Sequence, residues 1–310
     1  MGIGLLFPGQ GSQFPGMGKE LYDAYPAARE VFQEGSEALG FSLADLCFRG
    51  SGEDLRRTEN TQPSIFAVSV AAWRVVAAET GIRPLCAAGH SLGEYSALVA
   101  SGALSLSEAV VLLRSRGRYM QEAVPLGEGA MAAVIGLSAE TVQEICRDAG
   151  RNGVVEPANF NGGDQVVISG NALAVAAACE AAKSAGAKKV MTLPVSAPFH
   201  SSLMQPAADR LASGLRAASL GKFSFPVVAN VTAEAYPDVE STAEFLIRQI
   251  ASPVRWEESV RRMLGMGVTS FLEVGPGKVL SGLVRRIERE VPVAAFCAPG
   301  DLPAARALAG

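Results

Sequence analysis

Apolar and polar positions along this chain switch between two patterns. Residues 3–7 form a short solid apolar run stopped by Pro8-Gly9, which reads as a buried strand entering a loop. Residues 63–79 carry apolar positions at helical spacing. Residues 85–89 are again a short apolar run, and 92–101 and 104–123 return to helical spacing. Short buried strands alternating with helices predict a parallel sheet covered by helices. Between about 127 and 195 the order changes. Strand-like residues 130–136 precede a helix over 138–149 that opens on Ser138 and is followed by Gly150. Two strand-like stretches, 154–157 and 166–169, come next, then a helix over 172–185 stopped by Gly186 and a strand over 189–195. This β-α-β-β-α-β order is the ferredoxin-like pattern and predicts a small subdomain inserted in the larger unit. The expected division is a catalytic core over 1–126 and 197–310, with the subdomain over 127–196. Two further strands are predicted in the last third, over 227–231 and Ser270–Val274, and residues 302–310 read as a terminal helix or tail.

Composition fits that picture. The chain has 310 residues, 49% hydrophobic and 19% charged, enough for a sizeable core. The formal charge of −4 argues against a nucleic-acid partner. Five cysteines without a CxxC pair read as reduced thiols and point to the cytoplasm. Residues 1–7 lack the basic start of a signal peptide, and no 18-residue apolar run predicts a membrane span. Nothing in the pattern demands more than a monomer.

The sharpest chemical signal is Gly89-His90-Ser91-Leu92-Gly93. It fits G-x-S-x-G at a predicted strand–turn–helix junction, the setting of a nucleophile elbow. Such a turn exposes the hydroxyl and aims helix N-terminal N–H groups at developing negative charge. The plainer alternative is a Ser N-cap on a Gly-rich turn. A serine nucleophile needs a base, and the chain has only two histidines. His90 adjoins Ser91, where side chains diverge, so it reads as a packing or hydrogen-bonding residue. His200, held in a loop behind Pro198, is the candidate base. No acid stands out as a third member, and a backbone carbonyl is a feasible partner for the imidazole. The N–H of Leu92 and one from the glycine-rich loop 7–13 are candidates for an oxyanion hole. That loop has Phe14 where a dinucleotide-binding fingerprint needs its last glycine.

Arg116 lies on the opposite side of its predicted helix from Arg114 and Arg118, counting about 100° per residue. Its helical neighbours are Ala109, Leu112, Leu113, Tyr119 and Met120. A guanidinium among apolar residues requires an anionic partner. Two partners remain open at this point: an internal Asp or Glu, or the carboxylate of a substrate.

These segments together resemble the malonyl-CoA:acyl carrier protein transacylase family almost end to end. The resemblance rests on Phe7-Pro8-Gly9-Gln10-Gly11-Ser12-Gln13, Thr61-Gln62-Pro63, Gly89-His90-Ser91-Leu92-Gly93-Glu94-Tyr95 and Arg116-Gly117-Arg118-Tyr119-Met120-Gln121. It continues through Asn159-Phe160-Asn161, residues 165–170 and Glu273-Val274-Gly275-Pro276-Gly277. It implies an α/β-hydrolase-like core with the ferredoxin-like insert, Ser91 as nucleophile and His200 as base. It further implies Arg116 as the partner of the malonyl carboxylate, and the backbone of Gln10 and Leu92 as oxyanion hole. The Gln249 carbonyl would orient His200, Gln62 would line the acyl pocket, and Asn161 and Gln165 would be further site residues. Phe199 precedes His200 where many fatty-acid members have Ser. In malonyl-selective polyketide acyltransferases Phe is frequent there, filling the space of an α-methyl. The implied substrates are malonyl-CoA and acyl carrier protein, with no metal or redox cofactor. Two rivals remain: a serine esterase or thioesterase, and a malonyl acyltransferase serving polyketide rather than fatty-acid synthesis. A non-enzymatic carrier-protein docking module is a third, disfavoured by the Ser91/His200 pair.

Overall fold

The computed structural model describes residues 2–195 and 197–309. The ends of the expected boundaries at Ser196 and Gly310 therefore lie outside the described residues. Among the described residues nine strands form two sheets: β1 (Ile3–Phe7), β2 (Cys86–Gly89), β3 (Gly129–Ile135), β4 (Val155–Gly162), β5 (Gln165–Asn171), β6 (Lys189–Thr192), β7 (Val227–Val228), β8 (Ser270–Val274) and β9 (Val293–Phe296). The first sheet has the order β7-β2-β1-β8-β9, and every pair in it is parallel. All residues of β1, β2 and β8 are buried, as solid apolar runs require when helices cover both faces. The second sheet is antiparallel, with order β4-β5-β3-β6. Helices Ala139–Ala149 and Ala172–Ser184 pack on it around a separate core that includes Val134, Val142, Ile168 and Ala178. The fold is thus an α/β-hydrolase-like core carrying a ferredoxin-like insert.

In a parallel sheet all carboxyl ends share one edge, where ligands bind. Here that edge gathers the loops after β1, β2 and β8. The insert is joined to it by backbone. Phe160 N–H donates to the Val254 carbonyl at 2.9 Å, and Val254 N–H donates back to Ala158 at 2.9 Å.

The longest helix near the site, Thr58–Thr80, is buried almost all round, consistent with a core position rather than a surface one. Pro63 sits inside it and cannot donate to the Glu59 carbonyl. Arg114 Nη1 supplies the missing donor at 2.9 Å. Arg114 belongs to the next site helix, Leu106–Glu122, which Ser105 caps through the Glu108 N–H. The two helices approach closely at Gly117, where a Cβ would stand 2.5 Å from the Thr58 carbonyl oxygen. That approach brings Gln62 and Arg116 within reach of each other. Among the described residues no helix is long and apolar enough to cross a membrane.

Two expectations about strands are corrected. The strand expected over 227–231 is only Val227–Val228, because Asn230 turns into the molecule to bond the Ser91 loop. The edge strand β9 was absent from the sequence reading. Its residues Val293, Ala294 and Ala295 are only partly buried, and three of its four residues are small or half-exposed, which blurs its apolar signal.

Candidate active site

Ser91 follows β2 with φ 54°, in the left-handed region that a side chain occupies only under constraint. Three contacts impose it. Asn230 Oδ1 accepts from the Ser91 N–H at 2.8 Å, while Asn230 Nδ2 donates to the Gly89 carbonyl at 2.7 Å, clamping both sides of the turn. Gln249 Nε2 donates to the Ser91 carbonyl at 2.9 Å. Gly93 opens the following helix against the end of β1, where a Cβ would stand 2.1 Å from the Phe7 oxygen. Strand, elbow and helix fit only because that side chain is missing.

His200 also has a positive φ, 58°, and is almost wholly buried. Its Nε2 lies 2.7 Å from Ser91 Oγ. Its Nδ1 faces two carbonyl oxygens, Gln249 at 2.9 Å and Ser252 at 3.1 Å. Carbonyls only accept, so Nδ1 carries the hydrogen and the neutral ring offers its Nε2 lone pair to the serine. Burial, and then the nearby Arg116 charge, push the imidazole pKa down to about 3. The ring is therefore neutral at physiological pH.

Arg116 is 1% exposed. Nη1 donates to Gln62 Oε1 at 2.8 Å, and Nη2 donates to Gln249 Oε1 at 2.8 Å and Ser91 Oγ at 3.1 Å. The guanidinium lies over the Tyr95 ring at 5.8 Å, and its Nε has no hydrogen-bond partner among the described residues. Of the two partners left open above, no internal acid bonds the guanidinium among the described residues: Glu94 touches Gln249 instead. Burial lowers the guanidinium pKa, so the charge is held against a desolvation cost.

These groups open into a cavity of about 340 Å³. Its walls include Gln10, Gln62, Ser91, Leu92, Arg116, Asn159, Phe199 and His200. Neither the Gln10 nor the Leu92 N–H donates to another group among the described residues. Of the remaining expected residues, Gln249 lies buried beneath the cavity and bonds His200 through its carbonyl. Asn161 sits one step back: its Oδ1 meets His90 Nε2 at 3.0 Å, and His90 packs on Trp256. Gln165 lies away from the cavity. It opens β5 on the far side of the Gly162–Asp164 turn, where its side chain accepts from Arg286.

The sequence reading passed over Asn230 and the role of Glu94. Both contacts span well over a hundred residues, so no local spacing announces them. A polar residue within the apolar run 227–231 was the one available signal for Asn230.

Fold and site together are those of an acyltransferase, and the acyl transferase domain matches residues 5–298. Malonyl CoA-acyl carrier protein transacylase of Bacillus subtilis is 49% identical over 298 residues, covering 96% of this chain and 94% of the relative. The Escherichia coli K12 enzyme of the same name is 45% identical over 303 residues, covering 98% of each. The structure of the Coxiella burnetii transacylase superposes with a TM-score of 0.97 at 43% identity, over 99% of this chain and 97% of that one. A malonyl-transacylase solved in complex with a type II polyketide acyl-carrier protein superposes at 0.96, 44% identical, over 99% and 100%. The chain belongs to the malonyl CoA-acyl carrier protein transacylase family.

Proposed function

We propose that this protein moves a malonyl group from malonyl-CoA to the phosphopantetheine thiol of an acyl carrier protein, through an ester on Ser91. The observation that carries the reading is the convergence on Ser91 Oγ of a neutral imidazole nitrogen at 2.7 Å and a buried guanidinium at 3.1 Å. His200 Nε2 takes the Ser91 proton as Oγ attacks the thioester carbon. The oxyanion forms against the Gln10 and Leu92 N–H groups, which have no competing acceptor to leave. The carbon–sulfur bond then breaks, and His200 returns the proton to the departing CoA thiolate. The carrier thiol repeats the sequence in reverse order on the ester. The cycle balances with the side chains described and the two thiols as substrates, so it is proposed to run without a further cofactor.

The Arg116 fork supplies selectivity in this reading. A malonyl carboxylate replaces the neutral amide oxygens of Gln62 and Gln249 as its partner, a charge-assisted exchange. A cation touching the nucleophile favours transfer of an acidic acyl group over a general esterase, which has no use for one.

Arg116→Ala tests this. Loss of a buried charge-assisted pair costs about 2–5 kcal/mol, so malonyl transfer should fall by roughly thirtyfold or more. Acetyl transfer should persist or rise. Comparing the two donors at equal enzyme concentration decides the matter; unchanged malonyl transfer would discredit the clamp.

A further inference from the structure

The site already described leaves one buried ionisable group unused. Glu94 is 0% exposed, three residues past the nucleophile. Its carboxylate meets donors only. Tyr236 donates its hydroxyl to Oε1, and Oε2 accepts from Gln249 Nε2 at 2.8 Å and the Asn230 N–H at 3.2 Å. Those partners are the residues that hold the site. Asn230 clamps the elbow on both sides of Ser91. Gln249 holds the His200 ring with its carbonyl, Arg116 with Oε1 and the Ser91 carbonyl with Nε2. One carboxylate therefore supports both Asn230 and the Gln249 side chain, which together hold the Ser91 turn and one arm of Arg116.

We propose that Glu94 is the positioning residue of this site, a carboxyl hub that anchors Asn230 and Gln249 and, in its charged form, balances the charge of Arg116 through the Gln249 amide. The inference rests on the acyl-transfer reading above. Its physical content is a balance of charge. When Ser91 attacks, His200 becomes an imidazolium beside the Arg116 cation, an arrangement that like-charge repulsion opposes. The Glu94 charge, one amide away from Arg116, offsets part of that repulsion in the transition state. Burial raises the Glu94 pKa to about 7, and the three donors aimed at the carboxylate oppose that rise, so the charged form the balance needs dominates above neutral pH, where acylation is to be measured.

Glu94→Gln separates charge from hydrogen bonding. The amide oxygen can still accept from Gln249 and Asn230, with the amide NH2 turned to the Tyr236 oxygen. The decisive experiment is a double-mutant cycle with Arg116→Ala, read as single-turnover acylation of Ser91 by acetyl-CoA, a donor that needs no clamp. Glu94→Gln should slow acylation about tenfold when Arg116 is present and by less than about threefold when it is absent. With malonyl-CoA, whose own carboxylate takes over Arg116, the same variant should slow acylation by less than about threefold, and a loss as large as with acetyl-CoA would overturn the charge balance. Equal losses in both arginine backgrounds would overturn the proposal, since a merely structural defect is indifferent to Arg116. Tyr236→Phe removes one donor from the Glu94 carboxylate without removing a side chain that bonds Arg116 or Ser91, so it must couple to Arg116→Ala in the same sense, and additivity there would equally overturn the proposal. That reading keeps the test decisive if Glu94→Gln does not fold. A wild-type enzyme that takes no acyl group onto Ser91 would instead defeat the acyl-transfer reading itself.

Discussion

Phe199 stands where one side chain's volume bears directly on the cavity. It is 7% exposed, directly precedes the base and forms part of the cavity wall with Ser91 and Arg116. An acyl group held by its carboxylate at Arg116 and its carbonyl at Ser91 has little freedom to turn an α-substituent elsewhere. Removing the ring should admit one. Phe199→Ser is expected to raise kcat/KM for methylmalonyl-CoA relative to malonyl-CoA by roughly tenfold, the usual scale for one methyl in an apolar pocket. Competition between the two donors for one carrier protein measures it, and an unchanged ratio would remove Phe199 from the selectivity account. At the same scale, Ser91, His200 and Arg116 were legible in the sequence for different reasons. Ser91 had its motif, His200 had one competitor, and Arg116 had a helical phase that put charge on an apolar face. Gln62, Gln249 and Phe199 carried no such signal and entered only through family resemblance.

At the scale of elements, the elbow depends on close contact between β1 and the helix Gly93–Ser101. Gly93→Ala would place a methyl against the Phe7 carbonyl, which is backbone and cannot rotate away. Overpacking of this type costs about 1–3 kcal/mol or more. Thermal unfolding should shift down by roughly 2–5 °C, and Ser91 acylation should fall with it. A variant with wild-type stability and activity would show that the elbow tolerates separation from β1. The strands were legible in proportion to their isolation. Ser270–Val274 was read to its ends because it is a solid apolar run between turn residues, and so was Ile3–Phe7. β9 was missed because an edge strand needs little apolar surface. β7 was overextended because tertiary hydrogen bonding, not propensity, ends it at Val228.

At the scale of the whole molecule, burying a neutral imidazole links stability to pH. The His200 pKa falls from an ordinary value of 6.5 to about 3 on folding. Between those values the unfolded chain binds a proton that the native state refuses, so the stability difference widens as pH rises. The His200 contribution is complete above about 6.5 and is lost progressively as pH falls toward about 3. Glu94 has the opposite sign: burial raises its pKa to about 7, so its ionisation costs stability as pH rises through the window from 4.5 to 7. A comparison with His200→Gln isolates the histidine. The melting temperature of wild type should drop more steeply than that of the variant between pH 6.5 and pH 5, and parallel curves would show that the ring is protonated in the folded state. The two sheets matter here as one assembly. His200 lies just after the insert in sequence and is held by the core carbonyls of Gln249 and Ser252, so the base and the nucleophile meet within the core, while the insert supplies cavity walls such as Asn159.

The account stands on a covalent malonyl ester at Ser91. Brief incubation with malonyl-CoA, rapid quenching and mass spectrometry of the peptides test it most directly. The account predicts a malonyl adduct on the Ser91 peptide that disappears when carrier-protein thiol is added, is missing in Ser91→Ala and forms far more slowly in His200→Ala. An unmodified Ser91 peptide while malonyl still reaches the carrier protein would contradict it.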